Sequence, residues 1–237
     1  MTRAEEIAGN LARVRERIAT AARAAGRPPE SVRLLAVSKK MPADDVRAAL
    51  AAGQRAFGEN YAQELRDKSA LLAADPTLPA APEWHFIGPL QSNKVKYVAG
   101  RTALVHAVDS AGLLDAIEAR GAPQPCLVQV NVAGEASKKG VSPGDLPALL
   151  DRFAAMKSAR CEGLMLIPPR GDARPHFAAL LALRDREATI ARPNVSLREL
   201  SMGMTEDLEV AVEEGATIVR VGTAIFGPRP TAGMETP

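Results

Sequence analysis

Apolar positions recur along this chain in two rhythms. Over residues 4–25 they fall three and four apart: Ile7, Leu11, Val14 and Ile18 share one stripe, and Arg13, Arg15, Glu16 and Arg17 fill the other faces. That is the pattern of an amphipathic helix. Gly26 and the Pro28-Pro29 pair end it, because Gly favours a helix C-terminus and Pro cannot continue the ladder. Beyond it, short apolar runs alternate with helical segments. The runs are 33–38, 56–58, 84–87, 103–108, 126–132, 162–167, 197–201 and 217–221. Helices are predicted over 42–52 and 61–73, from about Ser92, after an N-cap at Ser110, near Pro143, from about Pro175, and over 205–214.

Several runs are apolar at consecutive positions, as parallel strands buried on both faces must be. Eight β/α units in a chain of 237 residues predict a closed (β/α)8 TIM barrel with an extra N-terminal helix. An open doubly wound sheet is the rival. No stretch reads as an interdomain linker, so one domain is expected over 1–237, with the helix at about 4–25 and the barrel at about 31–229.

Composition removes several classes of function. Thirty basic against 28 acidic residues, with 3% aromatics, give neither a nucleic-acid footprint nor a stacking platform. No apolar run reaches the roughly 18 residues of a transmembrane helix. The amino terminus, MTRAEE, lacks the apolar core of a signal peptide. A cytoplasmic protein without a membrane partner is expected. Cys126 and Cys161 show no CxxC spacing and read as buried free thiols. His85, His106 and His176 show no paired ligand spacing, so no metal site is expected. HExxH, GxSxG, P-loop and GxGxxG motifs are all missing, and no catalytic residue is assigned.

In a barrel, chemistry sits where the strands end. The seventh and eighth runs lead into Ser201-Met202-Gly203-Met204-Thr205 and Arg220-Val221-Gly222-Thr223. Their glycines, hydroxyls and helix starts suit a phosphate. The same residues could simply turn the chain, with Thr205 as an N-cap. The first run ends in Ser38-Lys39-Lys40. Partial burial lowers a lysine from its usual pKa of about 10.4 and makes it nucleophilic toward aldehydes. Alternation turns only one of Lys39 and Lys40 inward, and spacing leaves open which. Arg220 lies between Val219 and Val221 and needs a polar partner, either a ligand or a buried carboxylate. A Schiff-base lysine, a phosphate cup and a fixed cation together describe a pyridoxal 5′-phosphate (PLP) site. An arginine cannot accept a proton from the ring nitrogen, so the ring stays a weak electron sink. A Schiff-base aldolase acting on phosphosugars would use the same lysine and cup without PLP.

The stretches LLAVSKKMP (34–42), FGENYAQE (57–64), WHFIGPLQSNK (84–94), VDS (108–110), CEGLMLIPP (161–169), LSMGMTEDLEVAVEEGAT (200–217) and VRVGTAIFG (219–227) closely resemble the YggS/PROSC family of PLP homeostasis proteins. These are barrels like the N-terminal domain of alanine racemase. The resemblance implies a covalent aldimine between PLP and Lys39. It implies phosphate contacts around Ser201, Thr205, Gly222 and Thr223, with Arg220 by the pyridine nitrogen and Asn60 and Met165 lining the pocket. It implies PLP binding without established turnover, in regulation of free PLP and of amino- and keto-acid pools. The expected partners are PLP and, as candidate acceptors, PLP-dependent apoenzymes, with the protein a monomer.

Departures from the family pattern are mild. Lys40 stands where threonine is frequent, Lys139 extends the Ser137-Lys138 loop, and the tail reads Pro228-Arg229-Pro230. A PLP-dependent racemase is the alternative enzyme. Alanine racemase takes its second base, a tyrosine, from a further domain across a dimer. Here the chain ends soon after the eighth run, and Tyr61 and Tyr97 fall on outer helices, so negligible racemisation is expected.

Overall fold

The computed structural model describes residues 1–135 and 139–228. Ser137, Lys138, Arg229 and Pro230, singled out above, lie outside the described residues.

Eight parallel strands close into a barrel in chain order. They are β1 (Arg33–Val37), β2 (Ala56–Glu59), β3 (Glu83–Phe86), β4 (Leu104–Val108), β5 (Gln124–Gln129), β6 (Ala159–Met165), β7 (Val195–Ser201) and β8 (Ile218–Val221). The last strand returns to the first, with Arg33 opposite Ile218 and Ala36 opposite Val221. That pairing excludes the open sheet. The helices are α1 (Arg3–Ala24), α2 (Ala43–Ala51), α3 (Ala62–Ala73), α4 (Ala111–Glu118), α5 (Leu146–Ala154), α6 (Arg174–Ala188), α7 (Leu208–Glu213) and α8 (Thr223–Phe226).

Apolar side chains form two layers. An outer cluster joins the helices to the backs of the strands and includes Leu50, Leu65, Phe153, Phe177 and Val219. A smaller inner cluster of Leu35, Ala56, Ile87, Leu104, Ala107, Leu127, Met165 and Ile218 fills the barrel. α1 buries its stripe of Ile7, Leu11, Val14 and Ile18 in the outer cluster, and a capping box between Thr2 and Glu5 starts it. Cys126 and Cys161 face each other across β5 and β6. Both are free and buried, and burial pushes the Cys161 thiol up to about 12.

Three elements differ from the periodicity. The segment from Ser92 is a short 3-10 helix, Ser92–Tyr97, burying only Val95. One apolar contact does not sustain a full amphipathic face. α7 starts at Leu208, not Thr205, because the Asp207 carboxylate accepts the Met204 N–H at 2.6 Å and holds residues 204–207 as a turn. The eighth strand is followed by a further short helix, α8. Among the described residues, no helix is long and apolar enough to cross a membrane.

Candidate functional site

The strand ends surround a cavity of about 570 Å3 lined by residues that include Lys39, Asn60, Arg170, Thr205, Arg220, Gly222 and Thr223. Its size falls within the range of about 300–1,000 Å3 typical of small-molecule sites. The first, second, third, sixth, seventh and eighth strand ends all contribute.

Lys39 follows β1 in a turn held from both sides. The Ser38 hydroxyl donates to Glu59 Oε1 at 2.7 Å, and the Ser38 carbonyl accepts from Lys68 Nζ at 2.9 Å. Lys40 N donates to Glu64 Oε1 at 2.6 Å. Lys68 joins the two carboxylates, at 2.7 Å from Glu59 and 2.9 Å from Glu64. Glu59 is fully buried. Burial raises its pKa, and the Lys68 ammonium opposes that shift. Lys40 adopts a positive φ of 61° and carries its ammonium 5.8 Å from the centre of the Tyr61 ring. Of the two adjacent lysines, Lys39 is the one at the cavity wall.

Asn60 follows β2. Its carbonyl oxygen lies only 2.2 Å from where a Cβ on Gly88 would stand, so only glycine lets the end of β3 close there. Asn60 Oδ1 is buried without a hydrogen-bond partner among the described residues.

The opposite wall comes from the loops after β7 and β8. Gly203, at φ 91°, turns the first loop so that Met204, Thr205, Glu206 and Asp207 reach the cavity. α1 steadies the short helix α8 that follows the second loop. Asn10 Nδ2 donates to the Ile225 carbonyl at 2.8 Å and Arg3 Nη2 to the Phe226 carbonyl at 2.6 Å.

Arg220 points from β8 into the cavity floor and is 5% exposed. Nη1 donates to Ser201 Oγ at 2.8 Å and Nη2 to the Leu166 carbonyl at 2.9 Å. Burial lowers its pKa to about 10, with Asp207 opposing; it remains a cation at neutral pH. Among the described residues no buried carboxylate forms an ion pair with it, so its side-chain partners are Ser201 and the Leu166 carbonyl in place of the expected ion pair.

Six of the eight expected site residues line the cavity together. Ser201 and Met165 do not. Both are fully buried. The Ser201 hydroxyl lies beneath the wall, committed to Arg220 and to His106 Nδ1 at 2.9 Å. Met165 packs in the inner apolar cluster. Thr205 does not cap α7, whose N-cap residue is Asp207. Arg170, Ile87 and Ile167 are wall residues that the sequence reading missed. The Glu59–Lys68 pair was missed too, although one signal was available. Lys68 stands at helical spacing between Leu65 and Leu72, on the buried face of α3, where a lysine demands a buried partner. Among the described residues, no cluster of His, Cys, Asp and Glu could hold a metal ion.

A primary amine, two hydroxyls and two cations around one cavity suit a phosphorylated carbonyl compound. Comparison with known proteins narrows the field. The family model for the N-terminal domain of alanine racemase matches residues 9–230. The pyridoxal phosphate homeostasis protein of Pseudomonas aeruginosa is 49% identical over 94% of this chain and 96% of its own. That of Aquifex aeolicus is 44% identical over 92% and 96%. The structure of PipY from Synechococcus elongatus, solved with PLP bound, superposes with a TM-score of 0.80 at 37% identity, covering 93% of this chain and 100% of PipY. On these matches the chain belongs to the pyridoxal phosphate homeostasis proteins, within the alanine racemase N-terminal domain family.

Proposed function

We propose that the cavity binds PLP and that the protein takes part in PLP homeostasis by holding the cofactor without turning over a substrate. One observation carries this reading: Lys39, Arg220, Thr205 and Thr223 stand on the wall of a single cavity. The donor set fits PLP. Lys39 supplies the amine for a covalent Schiff base with the aldehyde. Thr205, Thr223 and the backbone at Gly222 receive the phosphate, and Arg220 faces the ring nitrogen. The buried Asn60 Oδ1, without a partner among the described residues, offers an acceptor. Bound PLP supplies an electrophilic carbonyl and a conjugated ring. A cationic Arg220 keeps the ring nitrogen unprotonated and the sink weak.

Racemisation needs a second acid–base group on the other face of the ring. Neither tyrosine lines the cavity, and Tyr61, the N-cap residue of α3, is half exposed. That favours storage over catalysis. An aldolase on phosphosugars would leave the purified protein colourless. We further infer a cytoplasmic monomer, a compartment that keeps the two thiols reduced, with PLP-dependent apoenzymes as acceptors.

The test is to add PLP, record the visible spectrum, reduce with borohydride and map the modified peptide. A stable chromophore with the pyridoxyl group on Lys39 is the expected result. No chromophore, or label mainly on Lys40 or Lys138, overturns the assignment.

A further inference from the structure

Beneath Arg220, a line of buried polar groups crosses the barrel. Ser201 Oγ lies 2.9 Å from His106 Nδ1. His106 Nε2 lies 2.9 Å from His85 Nδ1. His85 Nε2 lies 2.8 Å from Glu83 Oε1. Ser201, His106 and His85 are fully buried. Glu83 opens the first position of β3, at the far end of the barrel. There it lines a second cavity of about 460 Å3 with Arg15, Arg33 and Arg55.

With both imidazoles neutral, the Glu83 end fixes the arrangement of protons along the line. A guanidinium only donates, so Ser201 Oγ accepts from Arg220. Ser201 Oγ could accept a second time, so it is the bare Nδ1 of a neutral His106 that draws the serine proton. Neutral His106 carries its proton on Nε2 and gives it to His85 Nδ1. His85 in turn donates from Nε2 to the Glu83 carboxylate, which at neutral pH only accepts. Every bond points from the cavity toward the far face, and bonds aligned in this way strengthen one another. A doubly protonated His106 would make both of its nitrogens donors and leave the serine proton without its acceptor in the line. Burial, with His85, Arg220 and Arg33 nearby, keeps the His106 pKa well below its ordinary value.

We propose that His106 and Ser201 are positioning residues for Arg220, and that with His85 and Glu83 they form a hydrogen-bonded relay of fixed polarity through which the charge at the far end of the barrel acts on the cofactor ring. The proposal rests on the PLP reading of the cavity. The charged groups around the relay are Arg33 from β1, 3.6 Å from both Glu83 and Glu199, Glu199 from β7, Arg220 from β8, and Asp207, which acts on Arg220 through space.

Two measurements test it. The first uses the protein without PLP, labelled with 15N-histidine. At pH 8, His85 and His106 must both show the Nε2–H tautomer, with His176→Gln used for assignment. An Nδ1–H tautomer or an imidazolium at either position overturns the relay. The second follows the pH midpoint of the visible band of PLP-loaded protein. Ser201→Ala interrupts the relay at Arg220. Glu83→Gln removes the charge at the far face without touching the cavity wall and keeps the fold testable if Ser201→Ala does not. Both should lower the midpoint, Ser201→Ala by about half a pH unit or more, because the positive potential of Arg220 is then less compensated. Ser201→Thr should restore it. Unchanged midpoints in both variants overturn the proposal. A wild-type protein that takes up no PLP defeats the cofactor reading and leaves the tautomer test standing.

Discussion

Arg17 Nη2 donates to the carbonyl oxygen of Thr205 at 2.9 Å, so the N-terminal helix holds the backbone of the proposed phosphate loop. The same guanidinium pairs with Glu209 on α7 at 2.6 Å. With Asn10 on the Ile225 carbonyl and Arg3 on the Phe226 carbonyl, α1 reaches both loops of the cup. The helix outside the barrel repeat is therefore part of the site's support.

Asn10→Ala touches no cavity residue and should still weaken PLP. One lost neutral hydrogen bond corresponds to about 1 kcal/mol, or about fivefold. A fluorescence titration with PLP measures it. Affinity equal to wild type would confine α1 to stabilising the fold.

The cup predicts a ligand-specific loss. Thr205→Val with Thr223→Val should weaken PLP far more than pyridoxal, which lacks the phosphate. Each hydroxyl bonding a phosphate is worth roughly 1.5–3 kcal/mol. Parallel titrations of the two ligands decide the matter. Equal losses would assign both threonines to shaping the turns.

Lys68→Met should destabilise strongly, because it leaves the Glu59 carboxylate buried without its cation. Removing one partner of a buried pair costs about 3–5 kcal/mol. The double variant with Glu59→Gln should recover much of that loss in urea unfolding. No recovery would mean that the Lys68 stem packs the site and its charge is idle.

Stability should fall with acid below the ordinary histidine range. His106 is held neutral when folded, its pKa lowered first by burial and then by His85, whereas in the unfolded chain it takes a proton near pH 6.5. Below about pH 6.5 the unfolded state therefore binds more protons. This group's contribution shrinks by about 1.4 kcal/mol per pH unit until the folded pKa is reached. Above that range the contribution is fully present. Urea midpoints at pH 5 and pH 7 should differ for wild type and converge in His106→Asn.

Incubated with L-alanine in deuterated water, PLP-loaded protein should form negligible D-alanine. A missing acid–base group costs about 10²–10⁴-fold in rate. Chiral chromatography reads the product. Sustained D-isomer formation, abolished by Lys39→Ala, would make the protein a racemase.

The barrel was legible because its strands are apolar at consecutive positions and its helices keep a 3.6-residue stripe. All four residues of the α1 stripe are buried as read. Site residues were legible where a polar group interrupts such a run, as Arg220 does in β8. Three-dimensional competition hid the rest. Ser201 resembles any hydroxyl of a glycine-rich loop until Arg220 and His106 claim it. Thr205 resembles an N-cap until the Asp207 carboxylate closes its own turn onto Met204. Parity could not separate Lys39 from Lys40, because the choice depends on a positive φ at Lys40 just past the end of β1.

The facing thiols of Cys126 and Cys161 also give the chain a built-in clock. Burial pushes one up to about 12 and the other well above its ordinary range, so neither offers an alkylating reagent a thiolate while the barrel is closed. The rate at which a maleimide consumes them therefore counts openings of the outer apolar cluster over β5 and β6, and its slowing on adding PLP would read cofactor binding as protection of a distant part of the same barrel. A cysteine introduced on the surface could be labelled on its own, with the native pair left in place.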